Sequence, residues 1–444
     1  MPTPHLILLV GSNPVPNAIA ALCMADSQTV ISLFHSVESF EVAQRLTGWL
    51  RRHVGTEGDR LHLAALSHAG DEYRPSAIQA ALTRHLVDPI TRRWKNLGLP
   101  QVQGPPCVHL HYTGGTKAMT VHAYRTLEAI AVEHRLQFEA SYLDPDKLAL
   151  IVDPRGEVPE EIRPVPDHIQ LRMTDLLELH GWQTLGEVGA KDPLLPELAM
   201  ALLQDHAEHG PRPWDEWIID ELMPKTHRLI TVRGQLVDTQ DGVWHKFKMP
   251  DQSKYLRSTE RLSSALLVWP DRSELSRFKR IFDGCELPQL SLGQTAANLG
   301  LGTAHTLCEW LKGKWMESAV LHVLLQQQQQ LGLHEVLMSV EPDPPNGFEF
   351  DVVAIKGYRL FAFSCTTGEQ RKGTLKQKFF EASIRARQMG GDEARTALVC
   401  CWDKPQEVQS ELESEFDLKG KIKVFGRNDL KDLASALSHW IHHP

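Results

Sequence analysis

Apolar residues along this chain follow two alternating spacings. From residue 1 to about 155, short apolar runs take turns with longer segments whose apolar positions return every three or four residues. The runs Leu6–Val10, Thr29–His35, Leu61–Leu66, Val108–Tyr112, Gln137–Leu143 and Leu148–Val152 read as strands. Ser39–Arg52, Ser76–Asn96 and Lys117–Glu133 read as the helices between them. Short strands separated by helices of this length predict a parallel, doubly wound sheet. Asp144-Pro145-Asp146 reads as a turn after the fifth strand. Residues 153–167 carry four prolines and five acids among few apolar positions, the composition of a linker.

From about 168 to 300 the pattern weakens. Leu171–His180 and Leu195–Glu208 have helical spacing, Leu229–Val232 is compatible with a strand, and no catalytic spacing emerges. From about 303 a second α/β alternation begins. It runs as helix Trp310–Gln329, strands Glu335–Val340, Phe348–Ile355 and Leu360–Ser364, helix Leu375–Met389, strand Thr396–Cys401 and helix Leu430–Trp440. Pro342–Gly347 supplies a turn, and the five glutamines closing the first helix read as a solvated helix end. The expected organisation is therefore an α/β domain over 1–155, a linker and connector region over 156–300, and a second α/β domain over 301–444.

Composition narrows the possibilities. At 444 residues and 42% hydrophobic content the chain can fill two or three cores. A net charge of −9 supplies no global field for nucleic acid, so any such contact needs a local patch. No stretch approaches the roughly 18 consecutive apolar residues of a membrane span, and the N-terminus lacks a basic region and cleavage site. A soluble, cytoplasmic protein with no membrane partner is expected. The seven cysteines form no CxxC pair, which fits reduced core thiols, and the 22 histidines fall in no metal-binding spacing.

Candidate chemistry lies at two places. The first is Cys107–Leu127, where an apolar strand meets Thr113-Gly114-Gly115-Thr116 and Lys117 opens an amphipathic helix. Such a junction points free N–H groups and the positive end of a helix dipole at one spot, which suits a phosphate. The glycines let backbone approach a ligand, Thr116 can cap the helix, and Lys117 adds a point charge. An ordinary βα turn explains the same residues. A second loop, Gly11-Ser12-Asn13-Pro14-Val15-Pro16-Asn17, follows the strand Leu6–Val10, and ligands of open α/β sheets sit at that edge.

Together these loops resemble the paired motifs of the CARF family, Rossmann-like domains of CRISPR systems that sense cyclic oligoadenylates. The resemblance implies that Ser12, Asn13, Thr113, Gly114, Gly115, Thr116 and Lys117 bind the ring, most plausibly cyclic tetra-adenylate. It also implies a homodimer, since a two-fold ligand fits an isologous interface.

The second place lies in the C-terminal alternation, whose helix, three strands, helix, strand order is that of the PD-(D/E)XK, restriction-endonuclease-like fold. That family hydrolyses phosphodiesters with carboxylates holding Mg²⁺ or Mn²⁺ and a lysine that steadies developing charge. The resemblance matches Asp351 to the motif aspartate and Glu317 to the helical glutamate. The neighbouring strand, Phe363-Ser364-Cys365-Thr366, has serine where glutamate belongs and threonine where lysine belongs. One reading is a non-cleaving protein with a degenerate output domain. The other is a rearranged site in which Glu317, Asp351 and the Cys365 carbonyl hold one metal, with Lys376 or Lys372 replacing the missing lysine.

The cluster Arg371, Lys372, Lys376, Lys378, Arg385 and Arg387 suits a DNA or RNA backbone, or equally a solvated helix face. Cys365 as a nucleophile would need a histidine, and none lies nearby in sequence. The resemblance thus implies a type III CRISPR ancillary effector activated by the ring for metal-dependent cleavage of nucleic acid. The alternatives are a non-cleaving sensor and a ring nuclease that degrades its own activator.

Overall fold

A computed structural model of the chain describes residues 5–55, 60–87, 107–154, 159–182, 188–227, 229–232, 235–238, 244–245, 258–284, 290–342, 348–368, 372–416 and 418–443. The N-terminal part is a seven-stranded sheet built from β1 (His5–Val10), β2 (Val30–His35), β3 (Leu61–Ala65), β4 (Cys107–His111), β5 (Gln137–Asp144), β6 (Ala149–Val152) and β7 (Glu161–Pro164). Their order is β3-β2-β1-β4-β5-β6-β7. The first five of these pair in parallel, and β6 and β7 are added antiparallel. This is a mixed α/β architecture with the parallel, Rossmann-like layout that the spacing predicts.

β1 and β4 are neighbours across the point where strand order reverses. Helix α1 (Val15–Met24), after β1, and α2 (Phe40–His53) bury Val15, Ile19, Leu46 and Trp49 on one face with Leu6 and Leu8. Helix α3 (Pro75–Leu82) and α4 (Lys117–His134) bury Ile78, Met119 and Leu127 on the other with Ile7 and Leu9. Alternate residues of β1 thus feed two separate cores, as the period of 2 in a strand requires.

The segment 153–167 is more than a linker. Within it Glu161–Pro164 forms β7, with Ile162 opposite Ile151. An edge strand offers few buried positions and tolerates proline at its end, so proline-rich composition hides it. Helix α5 (Met173–His180) and α6 (Pro196–His209) follow near the expected places. β8 (Leu229–Val232), β9 (Gln235–Asp238) and β10 (Trp244–His245) make a small antiparallel sheet.

The C-terminal sheet orders β11 (Glu335–Val340), β12 (Phe350–Lys356), β13 (Arg359–Thr366), β14 (Arg395–Cys400) and β15 (Ile422–Phe425) side by side. The first three pair antiparallel and the last three parallel. The helix expected over Trp310–Gln329 is interrupted. Trp310–Lys314 is wound as a π-helical turn that Gly313 leaves in an extended conformation, and α7 spans Trp315–Gln326. Helix α8 (Lys372–Gly390), α9 (Pro405–Phe416) and α10 (Leu433–His442) complete this part. The pattern gave no sign of α9 or β15, because α9 buries only Pro405, Val408 and Leu412 among polar residues. Most of the helix expected over Ser76–Asn96 beyond Val87, and most of the Pro342–Gly347 turn, lie outside the described residues.

The two sheets share one apolar cluster. Leu6, Leu8, Val15, Trp49 and Leu176 of the N-terminal layers are continuous with Leu337, Val353, Ile355, Leu360, Ala386 and Met389. The other face of the C-terminal sheet, including Val352, Phe361 and Phe363, packs with α6, α7 and α10. Two arginines fasten the β5–β6 turn. Arg359 donates to the Pro145 carbonyl at 2.9 Å, and Arg395 reaches an Asp146 carboxylate oxygen at 3.3 Å. Asp144 accepts from the N–H groups of Asp146 and Lys147, so that segment is the expected turn.

Candidate functional site

The cradle forms where the loops after β1 and β4 diverge to opposite faces of the sheet, the place where α/β sheets hold ligands. Gly11, Ser12, Asn13, Pro16, Thr113, Gly114, Gly115, Leu143, Pro145, Asp392 and Glu393 enclose a cavity of about 220 Å³. Local chemistry fixes each loop. The Asn13 side-chain oxygen accepts from the Val15 N–H at 3.0 Å, turning the chain into α1. Asn17 donates to the Leu9 carbonyl at 2.9 Å. The Thr113 hydroxyl accepts from the Leu143 N–H at 2.7 Å, tying the second loop to β5. Thr116 caps α4 by accepting from Met119 and donates to the Glu72 carbonyl. Ser12, Asn13, Thr113, Gly114 and Gly115 are therefore brought together, whereas Thr116 is spent on the helix and exposed Lys117 lies outside the cavity wall.

Gly114 has a structural duty that the sequence concealed. A Cβ there would stand 2.1 Å from the Leu9 carbonyl oxygen, and one on Gly11 would stand 2.9 Å from the Gly115 nitrogen. The two loops touch backbone to backbone. Gly114→Ala is thus expected to cost about 2 kcal/mol or more through overpacking, read as a lowered melting temperature together with any loss of ligand binding. An unchanged melting temperature would show that the contact relaxes freely.

The second site lies between α7, β11, β12 and β13. The register that pairs Met338 with Val352 and Val340 with Phe350 sets Ser339 opposite Asp351, and Ser339 breaks the ladder with φ +51°. Asp351 accepts from the Cys365 N–H at 2.7 Å and from the Ser364 hydroxyl at 3.4 Å. Glu317 accepts from the Ser339 hydroxyl at 3.5 Å, and Lys314 donates to that hydroxyl at 3.2 Å while lying 3.6 Å from Glu349. Burial, with Asp351 and Glu349 adding repulsion, pushes the Glu317 carboxyl up to about 8. Burial also raises Asp351, against the pull of the Cys365 N–H and the Lys378 charge. Two buried carboxyl groups facing one another are held apart in protonation unless a cation joins them.

Glu317 and Asp351 lie close enough for their charges to interact. Among the described residues no group of three His, Cys, Asp or Glu side chains is placed to hold a metal ion. Two carboxylates still fit a hard cation that fills its other positions from water, backbone carbonyl and phosphate. The Cys365 N–H faces Asp351, and the carbonyl of a strand residue projects to the same side as its N–H, so the Cys365 carbonyl suits that role. Its thiol does not suit nucleophilic work, because burial and the two acids raise it far above the ordinary thiol range.

Lys376 is not brought to the acids. It pairs with Glu411 at 3.2 Å and Glu415 at 2.6 Å on α9, and Lys372 joins Glu411 as well. Lys378 is the lysine of α8 whose charge reaches Asp351, although the sequence reading left it in the general basic cluster. In a helix two residues stand about 200° apart, so sequence alone could not choose between them. The rest of the cluster is largely occupied. Arg387 pairs with Asp392 at 2.8 Å, Arg385 lies 4.8 Å over the Phe348 ring, and Arg371 falls outside the described residues.

Among the described residues no helix is long and apolar enough to cross a membrane, and no disulfide joins any two of the six described cysteines. No protein-family model matches the sequence, and no curated protein matches it significantly. Solved structures share the fold. Protein VC1899 from Vibrio cholerae aligns with a TM-score of 0.60 at 16% identity, over 99% of this chain and 98% of its own. Can2 from Sulfobacillus thermosulfidooxidans, solved in complex with cyclic tetra-adenylate, aligns with a TM-score of 0.60 at 15% identity, over 99% of this chain and 97% of its own. At such identities the likeness establishes a common fold along nearly the whole chain.

Proposed function

We propose that this protein is a CRISPR ancillary effector that binds cyclic oligoadenylate, specifically cyclic tetra-adenylate, and is thereby activated for metal-dependent cleavage of DNA or RNA. The observation that carries the reading is the cradle, two glycine loops converging at the switch point of a parallel sheet, in a fold shared with a protein solved with that ring. In this reading residues 1–155 sense, 156–300 connect, and 301–444 form a PD-(D/E)XK-like output domain. The active species is a homodimer whose two cradles share one ring. Ser12, Asn13 and the Thr113–Gly115 backbone contact the ring, with Thr116 and Lys117 contributing from the start of α4.

In the output domain Glu317, Asp351 and the Cys365 carbonyl would hold Mg²⁺ or Mn²⁺, which polarises the phosphate and generates hydroxide when bound. Lys378, whose charge reaches Asp351, would steady charge on the departing oxygen in place of Lys376. The absence of a third carboxylate at Ser364 favours a second reading, a ring sensor that does not cut.

Calorimetry with cyclic tetra-adenylate is expected to saturate at one ring per two chains. Addition of Mn²⁺ with labelled RNA, single-stranded DNA and plasmid should then give ring-dependent cleavage. One ring per chain would refute the shared site. Binding without cleavage would establish the non-cutting sensor, and loss of the ring itself would establish a ring nuclease.

A further inference from the structure

The turn that follows α8 reaches into the cradle from the other sheet. Gly391–Glu393 forms a single 3₁₀ turn, and Gly391 has φ +72°. A Cβ at Gly391 would stand 2.3 Å from the Asn13 amide nitrogen and 2.6 Å from a Glu393 carboxylate oxygen. Asp392 and Glu393 line the same cavity as Ser12, Asn13, Thr113 and Gly114. Asp392 is satisfied by Arg387 at 2.8 Å, with Lys421 at 3.7 Å.

Glu393 is satisfied only in part. It is 2% exposed, and its Oε2 has no hydrogen-bond partner. Arg359 and Arg395 act on it by charge, but their hydrogen bonds go elsewhere. Arg359 is on the Pro145 carbonyl, while Arg395 is on Asp146 and on the carbonyls of Asp392, Glu393 and Ala394. Burial, with Asp392 adding, pushes the Glu393 carboxyl up to about 7. Its own backbone N–H and the two arginine charges offset this in part, yet a buried carboxyl with one oxygen unpartnered is costly, and here it faces a backbone cradle suited to an anion.

We propose that Glu393 is a displaceable internal occupant of the cradle, and that a phosphodiester of the bound ring expels it and so shifts α8. The inference rests on the proposed ring binding at these loops. A phosphate and a carboxylate cannot share the cavity without one losing charge or moving away. Helix α8 has 19 residues, about 28 Å of rise. Ala386 and Met389 near its end are packed in the core shared by the two sheets, and Leu375 and Phe379 near its start in a second cluster. A displacement at Gly391–Glu393 is therefore carried as a rigid shift to Lys378, and so to its distance from Asp351.

The charged and titratable groups facing Glu393 are Asp392 on its own turn, Tyr358 just before β13, Arg359 at its start and Arg395 on β14. The loops at Ser12–Asn13 and Thr113–Gly115 bring no charge. Burial holds the Glu393 carboxyl up at about 7, and expulsion into water returns it toward the ordinary carboxylate range, so ring binding releases a proton.

The test uses the full chain and cyclic tetra-adenylate. Calorimetry at about pH 6.5 in two buffers of different ionisation enthalpy reads affinity and proton release, and hydrogen exchange over 372–393 reads the helix. Wild type is expected to release a proton and to change exchange across 372–393 on binding. Glu393→Gln is expected to bind about tenfold tighter with no proton release and a diminished helix response. If Glu393→Gln binds like wild type with the same proton release, or if wild type binds the ring with exchange over 372–393 unchanged, the displacement is refuted while ring sensing stands. If wild type binds no ring, the sensor reading itself falls.

Discussion

Asp351→Asn is expected to lower Mn²⁺-dependent cleavage by about 100-fold or more, because it removes one of two carboxylates available to a metal. The asparagine oxygen can still accept from the Cys365 N–H, so shape and the β12–β13 contact survive. Ring binding in the distant cradle should be unchanged. The same pair makes a second, activity-free signature. Glu317 is raised from 4.5 to about 8 by burial and by Asp351. A carboxyl raised in the folded state favours folding at low pH, and that contribution is lost as pH climbs from about 4.5 through about 8. Mn²⁺ must displace the proton, so it should raise the melting temperature more at pH 8 than at pH 6. Asp351→Asn should remove most of that difference. Undiminished cleavage in this variant would place the chemistry elsewhere.

Lys378→Ala is expected to reduce the cleavage rate by about 100-fold with ring affinity unchanged, the usual effect of deleting one charge stabiliser at a reacting phosphate. Its counterpart, Lys376→Ala, breaks contacts with Glu411 and Glu415 on the solvated side of α8 and should cost less than about threefold. Single-turnover rates on the best cleaved substrate separate the two. A large loss at Lys376 with none at Lys378 would return the role to the lysine that the sequence offered as a replacement for the missing motif lysine.

Much of the architecture could be read from residue periodicity. β1, β2, β4 and α4 fall within a residue or two of the apolar runs that announce them, because each is buried on at least one face. Strand β7 and helix α9 could not be found in that way. The first lies exposed at an edge, and the second packs only three residues. At the sites, residue type was informative where chemistry was local. Glu317 and Asp351, 34 positions apart, come within electrostatic reach of one another. What sequence could not supply was direction and contact. Gly114 answers to the Leu9 carbonyl, Lys376 faces α9, and Glu393 enters a cavity built from the opposite end of the chain. Each depends on which face of an element meets which neighbour, a property that emerges only when the layers are assembled.

The apolar cluster shared by the two sheets bears on how such a chain can be inherited. Leu8, Trp49 and Leu176 lie in one continuous core with Val353, Leu360 and Met389. Cutting at residue 300 and joining either half to a foreign partner would bare a broad greasy face on both fragments. Recombination that treats the halves as exchangeable cassettes would yield insoluble products. The two halves are therefore obliged to diverge together, each substitution on one side of the seam selecting its complement on the other.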